Sequence, residues 1–262
     1  MEIVRLQNIV KHFRKQKGMF GAFETVKAVD DVSFSINEGE TLGLVGESGC
    51  GKSTLGRIII RLLREDSGKI LFNGKDLTVL NFNELKPLRR DMQIIFQDPF
   101  ASLNPRIKIG PAVAETLEIL GDENAAQKAD KMLVMVGLSP AAGLKYPHEF
   151  SGGQRQRICI ARALISRPKF IVCDEPVSSL DVSVQAQIIN LLKDLKEGLG
   201  LTYLFISHDL RVVRNISDRV AVMKDGKVVE LADNETIYKN PSHEYTKELI
   251  GAVQELGTES NI

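Results

Sequence analysis

The stretch "TLGLVGESGCGKST", residues 41–54, carries the strongest structural signal in the sequence. Its apolar beginning ends in a glycine and predicts a short buried strand. Apolar side chains at helical spacing follow over residues 55–63, so a helix is predicted there. Residues 46–54 match G-x-x-x-x-G-K-[ST], and this pattern between a strand and a helix indicates a phosphate-binding loop.

The chemistry of this loop predicts which groups bind phosphate. Glycines let backbone N–H groups turn inward as a nest, and the helix N-terminus adds its positive end. Lys52 is predicted to reach the β- and γ-phosphates, and the Ser53 hydroxyl to bind Mg²⁺. The loop alone fits kinases, GTPases and molecular motors equally well. Its candidate nucleotide-binding residues are Gly46, Glu47, Ser48, Gly49, Cys50, Gly51, Lys52, Ser53 and Thr54.

Short apolar runs and turn signals recur along the rest of the chain. Helical patterns separate the apolar runs, and strands that alternate with helices indicate a parallel α/β core. A helix over residues 182–200 is predicted to end at Gly198 or Gly200. The other predicted strands are residues 93–97, 170–174 and 202–207, and the predicted hairpin turns are Asn73-Gly74 and Asp225-Gly226.

Residues 98–167 differ from the rest of the chain, because strand signals are absent there and only helical patterns occur. We therefore predict a single domain in which a helical subdomain is inserted into the α/β core. The core is assigned to residues 1–97 and 168–240, and residues 241–262 to a short helix and a frayed tail.

Composition excludes several classes of protein. The 262 residues include 34 Lys and Arg and 34 Asp and Glu, and this zero net charge argues against a protein that coats nucleic acid. No apolar run is long enough to span a bilayer. The N-terminus, "MEIVRLQNIVKHF", has charges where a signal peptide needs an apolar core, so a cytosolic chain is expected. Three scattered cysteines indicate reduced thiols.

Polar side chains end three of the predicted strands. Asp174 lies where open α/β sheets place their ligands and is predicted to hold Mg²⁺, with Glu175 as general base for an attacking water. His208 is predicted to contact the γ-phosphate, and Gln97 to ligate Mg²⁺ or the attacking water. Taken singly, each of these residues has a structural alternative, as a turn cap or a surface strand end.

Residues 150–157, "FSGGQRQR", have no role in a simple phosphate-loop enzyme, since they hold neither a nucleophile–base pair nor metal ligands. Together with the residues above, they resemble the nucleotide-binding subunits of ABC transporters. The resemblance implies a P-loop NTPase fold, with a RecA-like parallel-sheet core, antiparallel β elements and an inserted α-helical subdomain. The motifs, in that family's order, are the phosphate loop, Gln97, "SGGQ" 151–154, Asp174-Glu175, "SSLD" 178–181 and His208.

The resemblance implies an active site shared by two subunits. They would pack head to tail, so that the signature of one closes over the ATP held by the other. Asp181 is implied to relay between the two sites, and Phe13 to stack on adenine. The family more often has tyrosine at that place, and the adjacent His12 is an alternative stacking residue. The structural alternative for Phe13 is a core residue on an edge strand. The signature residues are Ser151, Gly152, Gly153 and Gln154.

Two further stretches, "FQDPFASLNPR" at 96–106 and "NPSHEYTKEL" at 240–249, resemble the oligopeptide, dipeptide and nickel importers, in particular the second of their two ATPases. In that family, residues 98–106 would contact a cytoplasmic helix of the permease. Many members hold an iron–sulfur centre on a C-terminal cysteine cluster. This chain has no cysteine after Cys173, so no such cluster is predicted.

The resemblance implies an importer motor that hydrolyses ATP, with ATP and Mg²⁺ as cofactors, to take up oligopeptides or dipeptides. Its implied partners are two transmembrane permease subunits, a second homologous ATPase in a heterodimer and an extracytoplasmic substrate-binding protein, with no nucleic acid. The implied location is peripheral, on the cytoplasmic face of the cell (inner) membrane. The alternatives are the same role for nickel or a metal chelate, and a soluble ABC ATPase that acts on DNA or ribosomes.

Cys50 is an unusual residue inside the loop. A helix N-terminus and Lys52 both lower a thiol pKa, so alkylation of Cys50 is predicted to inactivate the protein and bound MgATP to protect it. The alternative is an inert small residue that fills a tight loop.

Overall fold

The computed structural model describes residues 1–16 and 23–258. Within these residues the chain forms two compact units. Unit 1 comprises Met1–Leu85 and Tyr203–Ile262, and unit 2 comprises Lys86–Thr202. None of the described helices combines the length with the apolar character that crossing a bilayer requires.

The bounds of the regular elements are as follows. The strands are β1 (Glu2–Gln16), β2 (Phe23–Asn37), β3 (Thr41–Val45), β4 (Ser67–Phe72), β5 (Lys75–Asp76), β6 (Met92–Ile95), β7 (Phe170–Asp174), β8 (Thr202–Ile206), β9 (Arg219–Lys224) and β10 (Lys227–Asp233). The helices are α1 (Lys52–Ile59), α2 (Phe82–Leu85), α3 (Pro99–Ser102), α4 (Ile109–Ile119), α5 (Ala125–Met135), α6 (Gly152–Leu164), α7 (Val182–Leu199), α8 (Leu210–Ile216), α9 (Asn234–Lys239) and α10 (Glu244–Thr258).

Unit 1 contains two groups of strands. The first is an antiparallel sheet in the order β2-β1-β4-β5. In the second, β3 lies between β8 and β9 and is parallel to both, while β10 pairs antiparallel with β9. Every residue of β3 is buried, as expected for a parallel strand covered on both faces. The strand therefore holds the phosphate loop, which follows it directly, on a rigid element.

Unit 2 combines two parallel strands with helices. Strands β6 and β7 pair in register from Met92 opposite Phe170 to Ile95 opposite Cys173. Residues 98–167, all of them described, contain helices and turns and no strand. Helix α4 packs against both α5 and α6 in this region.

The predicted parallel α/β arrangement and both predicted hairpins are confirmed. Helix α7 ends at Gly200, one of the two predicted glycines, in a left-handed conformation with φ 65°. Helix α1 is shorter than predicted, because Arg61 takes a left-handed backbone with φ 58° just beyond it. The C-terminal helix is longer than predicted, at 15 residues. Residues 259–262, the end of the stretch predicted as a helix and a tail, lie outside the described residues.

Candidate active site

The phosphate loop in unit 1 is shaped by close backbone packing around its glycines. Gly46 and Gly51 have φ of 149° and 109°, a region that favours glycine. A Cβ on Gly46 would lie 2.1 Å from the carbonyl oxygen of Met223, and one on Gly51 would lie 1.9 Å from that of Ala28. Neither position accommodates any other residue without backbone movement, so the fold itself requires these two glycines.

Lys52 directs its positive charge into the loop. Its Nζ donates hydrogen bonds to the carbonyl oxygens of Gly46 and Glu47, each at 2.8 Å, and lies 3.8 Å from Cys50 Sγ. The residue is only 5% exposed. Helix α1, which begins at Lys52, has no side-chain cap, so its first N–H groups add to the positive potential. This arrangement fits the phosphate groups of a nucleotide.

A cavity of about 460 Å³ borders the loop on the side of β2. Thr25 and Val26 line it together with the loop residues Ser48, Gly49 and Cys50. Phe13 on β1 is paired directly opposite Val26, and the two side chains are 40% and 43% exposed. Phe13 is therefore not a core residue, and the alternative interpretation is wrong. An exposed apolar pair beside a phosphate loop suits the stacking of a flat base.

The Cys50 thiol does not behave as predicted. Burial raises its pKa, and the Lys52 ammonium and nearby hydrogen bonds lower it by less. The prediction of a lowered thiol pKa is therefore wrong, because sequence spacing showed the charge but not the burial. All three cysteines are free thiols, and burial raises the pKa of Cys159 to about 11.

His208 lies at the same edge of the sheet as the phosphate loop. It comes two residues after β8, whose Ile206 pairs with Leu44 of β3 in parallel register. The backbone N–H of Ser207 donates to the Leu44 carbonyl, which extends this pairing to the strand end. The His208 side chain is exposed at this edge.

Unit 2 brings Gln97 and Glu175 together. The Gln97 Nε2 donates to Glu175 Oε2 at 3.1 Å. Glu175 has a left-handed backbone with φ 49°, a conformation that costs about 1–2 kcal/mol for a residue with a side chain. Asp174, at the end of β7, is only 2% exposed. Strain of this kind concentrates at functional sites, and the contact itself was not predicted from the sequence.

The signature residues form the capped start of helix α6. Ser151 Oγ accepts from the Gln154 N–H at 3.3 Å, and Gln154 Oε1 accepts from the Ser151 N–H at 3.0 Å. This reciprocal pair is a capping box, and the spacing S-x-x-Q in the sequence was an overlooked signal for it. A Cβ on Gly153 would lie 2.5 Å from Val184 Cγ1, and one on Gly152 would lie 3.3 Å from a side-chain carbon of Leu180. The two glycines thus let α6 approach residues 180–184 closely.

Asp181 also has a local role that was not predicted from the sequence. Its carboxylate caps α7 by accepting from the Val184 N–H at 2.9 Å and the Ser183 hydroxyl at 2.8 Å. These hydrogen bonds hold its pKa below the usual value. The carboxylate is therefore ionised and fixed in orientation near neutral pH.

Helix α6 holds the segment that follows Gln97. The guanidinium of Arg155 lies 3.8 Å from the centre of the Phe100 ring, and Arg162 donates to the Ser102 carbonyl. Phe100 is still 63% exposed. The signature helix and the exposed segment around Phe100 are thus physically linked within unit 2.

The residues present fit a magnesium nucleotide. Mg²⁺ prefers hard oxygen ligands and shares them with substrate phosphates. Unit 1 offers the Ser53 hydroxyl, and unit 2 offers the Gln97 amide oxygen and the Asp174 carboxylate. Among the described residues there is no group of three or more His, Cys, Asp or Glu side chains arranged to hold a metal ion alone.

Comparison with known proteins gives the same picture. The ABC transporter family matches residues 29–178. The oligopeptide transport ATP-binding proteins AppF and OppF of Bacillus subtilis (strain 168) are 52% and 51% identical over 96% of this chain and 78% and 82% of their own lengths. The glutathione import ATP-binding protein GsiA of Escherichia coli (strain K12) is 51% identical over 96% of this chain, which matches 41% of that longer protein.

Solved structures agree with the sequence relatives. The dimeric structure of MJ0796, described as a bacterial ABC transporter cassette, has a TM-score of 0.76 and 31% identity, over 88% of this chain and 98% of its own. The structure of cbiO1 from Clostridium perfringens, described as part of the ABC transporter complex cbiONQ, has a TM-score of 0.79 and 25% identity, over 100% of this chain and 99% of its own.

Proposed function

The chain belongs to the ABC transporter family of ATPases, and on that premise we propose that it is the motor subunit of a peptide importer. One observation carries the proposal. The similarity to two oligopeptide transport ATP-binding proteins covers 96% of the chain and so extends past residue 178, where the family match ends. The third relative is named for glutathione, which is itself a short peptide. Peptides are therefore the proposed cargo.

ATP binding is assigned to unit 1. The loop N–H groups and Lys52 hold the triphosphate, Phe13 stacks on adenine, and His208 contacts the γ-phosphate. The support is geometric. The Lys52 ammonium lies within the loop. Ile206, two residues before His208, pairs with Leu44 of β3, the strand that leads into the loop. Ser53 of unit 1 is proposed to bind Mg²⁺, and so are Gln97 and Asp174 of unit 2; the bound ion would neutralise charge that develops on the phosphates.

Hydrolysis is assigned to Glu175. Its carboxylate accepts a proton from the attacking water, and the amide of Gln97, 3.1 Å away, holds that carboxylate in place. The strained backbone of Glu175 supports this assignment, because residues held in such a conformation concentrate at functional sites.

The signature is assigned to the ATP of a partner subunit. The first four N–H groups of a helix have no acceptor within the helix. In α6, the Ser151 hydroxyl accepts the hydrogen bond of the Gln154 N–H. The N–H groups of Gly152 and Gly153, at the positive end of the 13-residue helix α6, suit a phosphate brought by another chain. The similarity to the MJ0796 cassette, whose structure is dimeric, supports a two-subunit arrangement. Asp181 is proposed to relay between the two sites.

Coupling to transport is assigned to residues 98–106. Arg155 and Arg162 connect this segment to the signature helix, so closure over ATP would shift the exposed Phe100. The proposed partners are two permease subunits, a second and different ATPase, and an extracytoplasmic substrate-binding protein. The protein would then act at the cytoplasmic face of the membrane, without nucleic acid and without an iron–sulfur cluster.

The test is affinity purification of the tagged chain from detergent-solubilised native membranes, with co-purifying proteins identified by mass spectrometry. Two multi-span proteins and a second ATPase are expected. Ribosomal or DNA-repair partners without any membrane protein would contradict the transporter while leaving the ATPase chemistry in place.

Cargo is tested separately by uptake into cells that carry or lack the gene. Labelled dipeptides and oligopeptides are expected to depend on it, and nickel is not. Gene-dependent uptake of nickel or a metal chelate, without peptide uptake, would overturn the peptide proposal and leave the motor role intact.

A further inference from the structure

Tyr245 of α10 contacts the phosphate loop from outside the residues that the family match covers. Its hydroxyl accepts a hydrogen bond from the backbone N–H of Glu47, at 3.1 Å. The side chain is only 3% exposed, and the Lys224 ammonium lies 4.3 Å from the centre of its ring. The phenol is thus held at its face and at its hydroxyl.

The peptide unit that Tyr245 contacts is the one that Lys52 contacts. The Glu47 N–H and the Gly46 carbonyl belong to a single planar peptide, and in the trans form they point to opposite sides. The Lys52 ammonium donates to the Gly46 carbonyl at 2.8 Å, while the Tyr245 hydroxyl binds the N–H. One peptide plane at the start of the loop is therefore fixed from both sides.

The position of Tyr245 is set by a buried carboxylate on β10. Glu230 accepts from the Ser242 N–H at 2.8 Å, the Ser242 hydroxyl at 2.7 Å and the His243 N–H at 3.0 Å. The backbone N–H of Tyr245 donates to His243 Nδ1 at 3.2 Å. These contacts fix the start of α10 on the sheet, so the phenol reaches the loop from a rigid base.

We propose that Tyr245 is a positioning residue for nucleotide binding. It fixes the peptide between Gly46 and Glu47 and, through that peptide, the place of the Lys52 ammonium. It acts through the loop, whose backbone it contacts at the Glu47 N–H. Without the hydroxyl, the loop must be ordered when the nucleotide binds, and this ordering lowers affinity. The inference rests on the ATPase activity of the family and is independent of the transported cargo.

The test compares Tyr245→Phe with Tyr238→Phe in the purified full-length chain. Tyr238 is a matched control in unit 1, since its hydroxyl also bonds to a backbone group, the Leu210 carbonyl, and the Arg214 guanidinium lies 5.3 Å from its ring centre. Y245F is expected to raise both the ATP KM and the Kd of a fluorescent MgATP analogue about three- to ten-fold, the scale of one hydrogen bond. Its kcat at saturating ATP should stay within about two-fold, and Y238F should change neither constant beyond that margin.

Two results would overturn the proposal: unchanged nucleotide affinity in Y245F, or equal losses in both variants. Amide hydrogen exchange of the wild-type chain gives a second readout that requires no variant to fold. The Glu47 amide is expected to be protected, and exchange at the unprotected rate would show that the contact does not hold the loop.

Discussion

The phosphate loop and the signature turn are both glycine-containing turns that lead into a helix, yet they are built differently. Helix α1 begins at the loop without a side-chain cap, and a lysine of its own chain sits among the loop carbonyls. Helix α6 begins with a complete capping box of Ser151 and Gln154. The loop is therefore an anion site by itself, whereas the signature is a stable helix end whose use depends on another molecule.

The glycines of the two turns differ in which atoms a side chain placed on them would contact. Gly51 is enclosed by backbone, with the Ala28 carbonyl 1.9 Å from a hypothetical Cβ. Gly153 is enclosed by a side chain, with Val184 Cγ1 at 2.5 Å. Backbone in a sheet cannot move aside, but a side chain can be shortened. The requirement for glycine is thus absolute at Gly51 and conditional at Gly153.

Gly51→Ala should have the largest effect. Because its Cβ meets backbone, we expect at least a 100-fold loss of affinity for an MgATP analogue, or about 2.7 kcal/mol. Gly49→Ala is the matched control, since Gly49 also has a positive φ, 85°, but open space around its Cβ. Its free energy of unfolding in urea should fall by about 1–2 kcal/mol, which is the strain of a left-handed residue that carries a side chain. Equal binding losses in the two variants would contradict the assignment of the effect to backbone contact.

Glu175→Gln should lower hydrolysis, which is assigned to Glu175 of unit 2, without lowering ATP binding, which is assigned to unit 1. Removing a positioned base is expected to lower kcat by at least about 100-fold, while ATP affinity stays within about two-fold. Steady-state ATPase assays and nucleotide titration measure the two quantities. The control is Glu149→Gln, which alters a different glutamate of unit 2. Glu149 is exposed, and its variant should leave turnover unchanged. Near-normal turnover in E175Q would mean that another group is the base.

Gly153→Ala should destabilise the protein, and a second substitution should restore most of the lost stability. Overpacking against Val184 is expected to cost about 1–3 kcal/mol in urea unfolding. Adding Val184→Ala removes the clashing methyl group, and the double variant should recover most of the loss relative to Val184→Ala alone. A double-mutant cycle measures this coupling, and strictly additive losses would show that the two residues do not touch.

Glu230→Gln should have the smallest effect and a clear pH dependence. Burial raises the pKa of Glu230, but the neighbouring Thr246 side chain and hydrogen bonds from Ser242 and His243 outweigh it and lower the pKa to about 2 from an ordinary 4.5. The ionised group therefore stabilises the fold above pH 4.5, and this contribution is lost as pH falls towards 2. At pH 7 the variant should be about 1–2 kcal/mol less stable than wild type.

The check is urea unfolding of wild type and E230Q from pH 7 down to pH 3. The deficit of the variant should shrink as the pH falls below 4.5. Glu235→Gln is the control, because Glu235 is exposed and pairs with Lys239 on the surface, and it should change stability by less than about 0.5 kcal/mol. A deficit that is constant with pH would show that the Glu230 charge contributes nothing.

Sequence patterns predicted the local features of the site well. The strand that leads into the phosphate loop, the end of β7 at Asp174 and the end of α7 at Gly200 are at the predicted places. Each depends on neighbours in the chain, namely periodicity, glycine and a fixed motif. The contact between Gln97 and Glu175 was not predicted, because it joins residues 78 positions apart. The pKa of Cys50 was predicted with the wrong sign, because burial depends on the whole of unit 1.

The sequence by itself determined the phosphate loop, the order of the motifs and membership of a family, since these require only residue types at fixed spacings. Tertiary structure alone decided which backbone encloses Gly46 and Gly51, and which side chain completes the loop from outside. Tyr245 lies 198 residues from Glu47, and no pattern within either segment encodes their contact. The physical reason is that hydrogen bonds and burial between distant segments exist only after the chain has folded.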